Sequence, residues 1–200
     1  YEAGLITYMR TDSVTISNEA KSSIVQKIES KYGEDYVNLR DYKNKNKSAQ
    51  EAHEAVRPTD INLEEITSDY DQQRLYHLIW KRTISSQMSD AQIERTVVNI
   101  KSDSYNEFFV ARGEVIKFDG FLRVYNEGTD DEIEEEKGVL PALSINENLN
   151  LLSISSRESF SRPPSRFTEA SLVKKLEELG IGRPATYATT ISTIQNRGYI

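Results

Sequence analysis

Near both ends of the chain, apolar residues recur every three or four positions, the spacing that places them on one face of a helix. In the N-terminal part this spacing predicts a helix that begins after Ser17 and ends at Gly33. A second helix is expected to begin at Ser68 or Asp69 and to run to about Met88. The residues that should pack in the core from this second helix are Leu75, Leu78, Ile79 and Trp80.

Two more helices are predicted near the C-terminus. Thr168 should cap the first and Gly180 should end it, while Pro184 suits the first turn of the second. Two helices joined by a short glycine-containing turn form a helix-turn-helix layout, which any helical hairpin shares. Helix N-termini bind phosphate, so the position of Arg183 just before the second helix suits a phosphate contact.

The middle of the chain changes to a two-residue alternation, which predicts strands. Strands are expected around residues 96–100, at 108–118, at 121–125 and at 149–155. Helices, then strands, then helices make the predicted fold class α+β.

Net charge is −7, which by itself argues against a nucleic-acid partner. Seven acidic residues, however, lie within residues 127–136, and the rest of the chain carries no net charge. That run predicts a solvated loop rather than a metal site. Residues 160–200 hold six basic and three acidic side chains, a balance compatible with DNA binding.

Composition excludes several kinds of site. The chain has no cysteine, so it has neither disulfides nor thiolate zinc sites, and its two histidines are too few for a histidine-rich metal site. No apolar run reaches membrane-spanning length, so no membrane partner is expected. Because the chain opens at Tyr1 without a signal peptide, we expect a piece of a longer protein.

Residues 4–13 combine an extended pattern with reactive side chains. On a strand, Ile6, Tyr8 and Arg10 would lie on the same side. A phenol can act as a nucleophile once its proton is lost, and a guanidinium can grip two phosphate oxygens in a planar fork. This pair suits phosphate chemistry, although most tyrosines are packing residues.

Residues 48–58 predict a short helix, because Ser48 and Glu51 form a capping box and Pro58 ends the segment. His53 and Arg57 are four residues apart and would share one face. A titratable donor beside a permanent positive charge suits a phosphate ligand.

Three stretches, in this order along the chain, resemble the type IA DNA topoisomerases. They read GLITYMRTDS at residues 4–13, SAQEAHEAVRP at residues 48–58, and RFTEASLV followed by GIGRPATYA within residues 166–188. Met9 follows the tyrosine where the topoisomerase III branch usually has proline, so the resemblance is to the bacterial topoisomerase I branch.

The resemblance implies an isomerase that relaxes negatively supercoiled DNA. Tyr8 would attack single-stranded DNA to form a 5′-phosphotyrosine, a second strand would pass, and the break would be resealed without ATP. Arg10 and His53 would complete the catalytic set, with His53 either transferring protons or only positioning phosphate. DNA contacts are expected from Arg57, Arg166, Thr168, Arg183 and Thr186.

The resemblance also implies a division of the chain and of the parent protein. Residues 1–90 would form the helical domain with the tyrosine, residues 91–158 a β-rich arch segment, and residues 159–200 a helical segment that guides DNA. Mg²⁺ would be the cofactor of the full-length enzyme, held by an N-terminal domain outside this chain, with no metal ligand here. The isolated piece is therefore expected to be inactive and, with apolar surface exposed, prone to self-association. The parent would be a monomer of the bacterial cytoplasm, associated with the nucleoid.

Two other classes of function share these features. The chain could be a non-catalytic module that binds single-stranded DNA, with a coincidental tyrosine motif. Alternatively, it could be an interaction domain in which Tyr8 is buried in the core. Formation of a covalent adduct at Tyr8 would distinguish the enzyme from both.

Overall fold

The computed structural model describes residues 1–43, 53–66, 69–102, 106–126, 139–161 and 163–199. Its helices are α1 (Asn18–Tyr32), α2 (Tyr70–Ser86), α3 (Glu169–Glu178) and α4 (Tyr187–Asn196). Its strands are β1 (Gln92–Lys101) and β2 (Phe108–Phe118), and short 3-10 turns lie at Glu34–Tyr36 and Gly120–Arg123. The predicted α+β class is confirmed.

Helix α1 follows the sequence prediction closely. The Ser17 side chain accepts a hydrogen bond from the backbone N–H of Ala20, and Gly33 ends the helix at a φ of 104°. Ile24 and Ile28, four residues apart, are 1% and 0% exposed. The apolar face predicted from the spacing is therefore the face that enters the core.

Helix α2 begins where predicted, after Asp69, but turns a different face inward. Leu75 and Leu78 are 58% and 52% exposed, so the prediction that they pack in the core is wrong. The prediction for Trp80 is confirmed: its ring is buried, and its Nε1–H donates to the carbonyl of Ile61 at 2.8 Å. That hydrogen bond and the core shared with α1 fix the rotation of α2. The residues that α2 buries are Tyr76, Trp80, Thr83 and Ile84, while Ile79 is half-buried.

Strands β1 and β2 confirm the predictions for residues 96–100 and 108–118. They form an antiparallel two-stranded sheet in which Val98 lies opposite Ala111. Near the end of β2, the Tyr36 hydroxyl donates to Asp119 at 2.6 Å, and the Tyr36 ring lies 4.8 Å from that of Phe118. These contacts join the sheet to the turn that follows α1.

Three other strand predictions are wrong. Residues 121–125 begin within the 3-10 turn Gly120–Arg123, and the Phe121 N–H donates to the Ser89 carbonyl at 2.9 Å instead of pairing with a neighbouring strand. Residues 149–155, all of them described, have no strand pairing. Around Tyr8 the described chain pairs only through a single bridge between Ile6 and Pro58. The acidic run at 127–136 lies outside the described residues.

The helix predicted for residues 48–58 is absent from its described part, residues 53–58, and residues 48–52 lie outside the description. The backbone N–H of Ala55 donates to the Thr15 carbonyl at 2.8 Å, and that of Arg57 donates to the Thr7 hydroxyl at 2.9 Å. Long-range partners therefore replace the helical hydrogen bonds.

The helices predicted near the C-terminus are confirmed as α3 and α4. Thr168 caps α3 through a reciprocal pair of hydrogen bonds with Ser171. Helix α4 begins at Tyr187, so Pro184, expected in its first turn, lies three residues earlier, in a turn closed by a 2.8 Å hydrogen bond from the Thr186 N–H to the Arg183 carbonyl.

Candidate active site

The segment that carries Tyr8 lies against residues 53–59, which we call the strap. The Thr7 N–H donates to the Arg57 carbonyl at 2.9 Å, and the Thr7 hydroxyl accepts from the Arg57 N–H at 2.9 Å. The same hydroxyl donates to the Ala55 carbonyl at 2.7 Å. The residue directly before Tyr8 is thus fixed to the strap by these three hydrogen bonds, and its hydroxyl also lies 3.4 Å from the Arg57 carbonyl oxygen.

The far end of the strap continues this pairing. The Thr59 N–H donates to the Leu5 carbonyl at 3.1 Å, and the Thr59 hydroxyl donates to the Gly4 carbonyl at 2.6 Å. These bonds hold the chain that leads into the tyrosine segment.

Tyr8 and His53 are in direct contact, although they lie far apart in the chain. Their ring centroids are 5.6 Å apart with an interplanar angle of 72°, an edge-to-face arrangement. The Tyr1 ring also contacts the Tyr8 ring, at 5.3 Å. Tyr8 remains 38% exposed, so the alternative that makes it a buried core residue is wrong. The structure brings together a partly exposed tyrosine and a histidine.

The surroundings of His53 and Arg10 differ. Within the described part of the chain, the Nδ1 atom of His53 is shielded from solvent and has no hydrogen-bond partner. Arg10, two residues beyond Tyr8, is exposed. The strand expected to place Tyr8 and Arg10 on one side does not form.

Arg57 points into the protein. Its Nη2 lies 2.7 Å from the Glu54 carboxylate, its Nη1 donates to the Pro58 carbonyl at 3.0 Å, and its side chain is 16% exposed. The Nε atom of Arg57 is buried without a hydrogen-bond partner among the described residues. In this structure, therefore, Arg57 holds the strap together.

Glu54 links the strap to α1. Its carboxylate accepts from the Ser17 N–H at 2.9 Å and, through the other oxygen, from Arg57 at 2.7 Å. Burial of the carboxyl group raises its pKa, but the hydrogen bonds from Ser17 and Arg57 outweigh burial, so the pKa of Glu54 lies below its ordinary value. Glu54 is therefore an ionised anchor beside the candidate site.

The C-terminal candidates lie around α3 and α4. Arg166 is exposed, and the Thr168 hydroxyl is engaged in capping α3. The Thr186 hydroxyl accepts from the Arg183 N–H at 2.9 Å and donates to the Arg183 carbonyl at 3.0 Å. Arg183 and Thr186 therefore build the turn that leads into α4.

Comparison with known proteins identifies the family. A family model described as DNA topoisomerase matches residues 1–200. The chain is 49% identical over 205 residues to DNA topoisomerase 1 of Rickettsia conorii, with 98% of this chain and 26% of the relative covered. It is 45% identical to a prokaryotic-type DNA topoisomerase 1 of Acanthamoeba polyphaga mimivirus, with 100% of this chain and 25% of the relative covered. The chain belongs to the DNA topoisomerase family.

A solved structure agrees with this assignment. Full-length topoisomerase I from Thermotoga maritima matches with a TM-score of 0.68 and 33% identity, over 98% of this chain and 31% of that one. The chain spans about a quarter of the length of the curated relatives named above.

Two further observations concern the part of the chain that the structure describes. No group of three or more His, Cys, Asp or Glu side chains there could hold a metal ion. None of the helices in those ranges has the length and apolar character needed to span a bilayer.

Sequence reasoning misses two residues of the site. It singles out neither Thr7 within residues 4–13 nor Glu54 between two basic candidates. The position of Glu54 three residues before Arg57 is visible in the sequence, and that spacing allows an ion pair. No local pattern indicates that the partners of Thr7 are Ala55 and Arg57.

Proposed function

We propose that the protein carrying this chain is a type IA DNA topoisomerase of the bacterial topoisomerase I branch. It cleaves one DNA strand transiently, lets another strand pass and reseals the break without ATP. Membership in the DNA topoisomerase family supports this proposal. The observation that carries it for this chain is the partly exposed Tyr8 ring, 38% exposed, in edge contact with His53.

In the proposed reaction the Tyr8 oxygen, after losing its proton, attacks the phosphorus of a phosphodiester in single-stranded DNA. A bond forms between Tyr8 and the 5′-phosphate, and the bond to the 3′-oxygen breaks. The 3′-oxygen takes up a proton and leaves as a hydroxyl. Because a phenolate is a better leaving group than an alkoxide, the 3′-hydroxyl can reverse the step and release Tyr8 without an external energy source.

Arg10 and His53 are proposed to assist this step. The exposed Arg10 guanidinium, two residues from Tyr8, can neutralise charge that builds up on the phosphate oxygens in the transition state. Since Nδ1 of His53 is shielded from solvent, a phosphate contact from His53 would use Nε2. Holding a phosphate beside the phenol contributes through proximity.

The remaining candidates are proposed to bind the DNA backbone. Arg166, Thr168, Arg183 and Thr186 would contact phosphates of a single strand next to α3 and α4. A phosphate contact from Arg57 would have to compete with Glu54, which already holds its guanidinium.

For the full-length protein, we propose negatively supercoiled and single-stranded DNA as substrates. We further propose Mg²⁺ bound by residues outside this chain, a monomeric state, and the bacterial cytoplasm, at the nucleoid, as the location. The isolated 200-residue chain is expected not to relax DNA, which a plasmid relaxation assay with Mg²⁺ checks.

The test uses the full-length gene product and a single-stranded oligonucleotide labelled at its 3′ end. A 5′-phosphotyrosine keeps the labelled strand on the protein, so denaturing gel electrophoresis should show a labelled protein band. Tyr8→Phe should abolish this band and plasmid relaxation. Tyr1→Phe is the matched control, because its ring also contacts Tyr8, and it should retain both activities.

An adduct that persists in Tyr8→Phe would refute the assignment of the nucleophile. Salt-sensitive DNA binding by the wild-type protein without any adduct would instead support the non-catalytic binding module.

A further inference from the structure

Thr7, the residue directly before Tyr8, is held to the strap through its N–H and its hydroxyl. The hydroxyl donates to the Ala55 carbonyl at 2.7 Å and accepts from the Arg57 N–H at 2.9 Å. The Thr7 N–H donates to the Arg57 carbonyl at 2.9 Å. Only a side chain that both donates and accepts can make this set of bonds.

The strap is itself anchored to the helical core. The Ala55 N–H donates to the Thr15 carbonyl at 2.8 Å, and the Glu54 carboxylate accepts from the Ser17 N–H at 2.9 Å, immediately before α1. Thr7 therefore connects the backbone at Tyr8 to a frame that includes the start of α1.

The strap also carries His53, whose ring touches the Tyr8 ring. The spacing between phenol and imidazole thus depends on two connections to one segment: His53 belongs to the strap, and Tyr8 is tied to it through Thr7. A small displacement of the Thr7 backbone would change where the phenol lies relative to His53 and to the attacked phosphate.

We propose that Thr7 is a positioning residue for the Tyr8 nucleophile. Its hydroxyl fixes the position of the Tyr8 backbone relative to the strap. This inference rests on the proposed function of Tyr8 as the attacking group. Valine has nearly the shape of threonine but neither donates nor accepts, so Thr7→Val removes the side-chain hydrogen bonds and keeps the volume. Misplacement of a reacting group by about 1 Å can lower a rate on the order of 100-fold.

The experiment uses the full-length gene product with Thr7→Val, Thr7→Ser and Thr59→Val. Thr59 is the matched control: its hydroxyl ties the same two segments together through the Gly4 carbonyl, at 2.6 Å, but farther along the chain from Tyr8. The rate of adduct formation is measured in a single turnover with a 3′-labelled single-stranded oligonucleotide. The Kd for the same oligonucleotide is measured in the Tyr8→Phe background, where cleavage does not interfere.

We expect Thr7→Val to slow adduct formation about 10- to 100-fold, with Kd changed less than about twofold because Thr7 is not assigned a DNA contact. Thr7→Ser keeps the hydroxyl and should return the rate to within about threefold of wild type. Thr59→Val should cleave at a near-wild-type rate. If Thr7→Val does not fold, Thr7→Cys is the substitute, because cysteine is similar in size and a much weaker donor. It should likewise slow adduct formation while leaving the Kd for the oligonucleotide nearly unchanged.

A wild-type rate for Thr7→Val would overturn the inference. So would a loss explained entirely by weaker binding, an equal loss in Thr59→Val, or no recovery in Thr7→Ser. Failure of the proposed function looks different, because then the wild-type protein forms no adduct or Tyr8→Phe still forms one, whatever the substitution at Thr7.

Discussion

Glu54 offers a sharp test of how the strap is held. One carboxylate oxygen accepts from Ser17 at 2.9 Å and the other from Arg57 at 2.7 Å, and the side chain is 32% exposed. Glu54→Gln keeps the size of the side chain but replaces one oxygen with an NH₂ group, which cannot accept. The substitution therefore removes one of the two hydrogen bonds and leaves the other with a neutral acceptor.

The expected loss follows from the strength of these bonds. A hydrogen bond to a charged group contributes about 1.5–3 kcal/mol, and a neutral one about 0.5–1.5 kcal/mol. Losing one charged bond and weakening the second would cost about 2–4 kcal/mol, but the partial exposure of the side chain lets water screen the charge. We therefore expect Glu54→Gln to lower the free energy of unfolding by about 1–2 kcal/mol at neutral pH.

The pH dependence has a definite sign. Because the folded pKa of Glu54 lies below its ordinary value of 4.5, the ionised carboxylate contributes stability above that value. The contribution is lost as the pH falls through the lowered folded pKa. The difference in stability between wild type and Glu54→Gln should thus be fully present at neutral pH and shrink in acid.

Urea denaturation of the chain at several pH values measures this difference. Glu65→Gln removes an exposed carboxylate and is the matched control, which should change stability by less than about 0.5 kcal/mol. A stability difference for Glu54→Gln that stays constant from neutral to acidic pH would refute the assignment of its effect to charge.

Two further predictions concern the fold. Ile28→Ala should lower the free energy of unfolding by about 2–5 kcal/mol because Ile28 is buried, whereas Leu75→Ala should lower it by less than about 1 kcal/mol because Leu75 is exposed. Urea denaturation measures both values, and similar losses would contradict the observed rotation of α2. Gly120→Ala would bring a Cβ within 2.5 Å of the Ser89 carbonyl oxygen, so it should destabilise the chain more than Gly33→Ala, where φ is also positive but no atom lies within 4 Å. Equal melting temperatures for these two variants would refute the close backbone approach.

Local signals in the sequence determined the elements that local interactions stabilise. Ser17 and Thr168 cap α1 and α3 as predicted, because a cap and its N–H partner lie within one turn of each other. The alternation at residues 96–100 and 108–118 likewise determined strands β1 and β2. Motifs of contiguous residues were enough to single out Tyr8 and His53.

Tertiary structure decided the features that depend on distant partners. Leu75 and Leu78 have the spacing of a core face, but they are exposed because α2 packs against α1 through the face that carries Tyr76, Trp80 and Ile84. Helical spacing at residues 53–58 did not produce a helix, because hydrogen bonds to Thr7 and to residues 15–17 took its place.

The sequence by itself therefore predicted the four helices and the two strands and singled out Tyr8 and His53 as candidates, but not the local structure that carries them, since neither a strand at Tyr8 nor a helix at residues 53–58 forms. It could not determine that His53 touches Tyr8 or that Thr7 ties Tyr8 to the strap. Those contacts join residues far apart in the chain, as the 48-residue separation of Thr7 and Ala55 illustrates. Their geometry depends on how α1, α2 and the strap pack together, and no local pattern of residues encodes that packing.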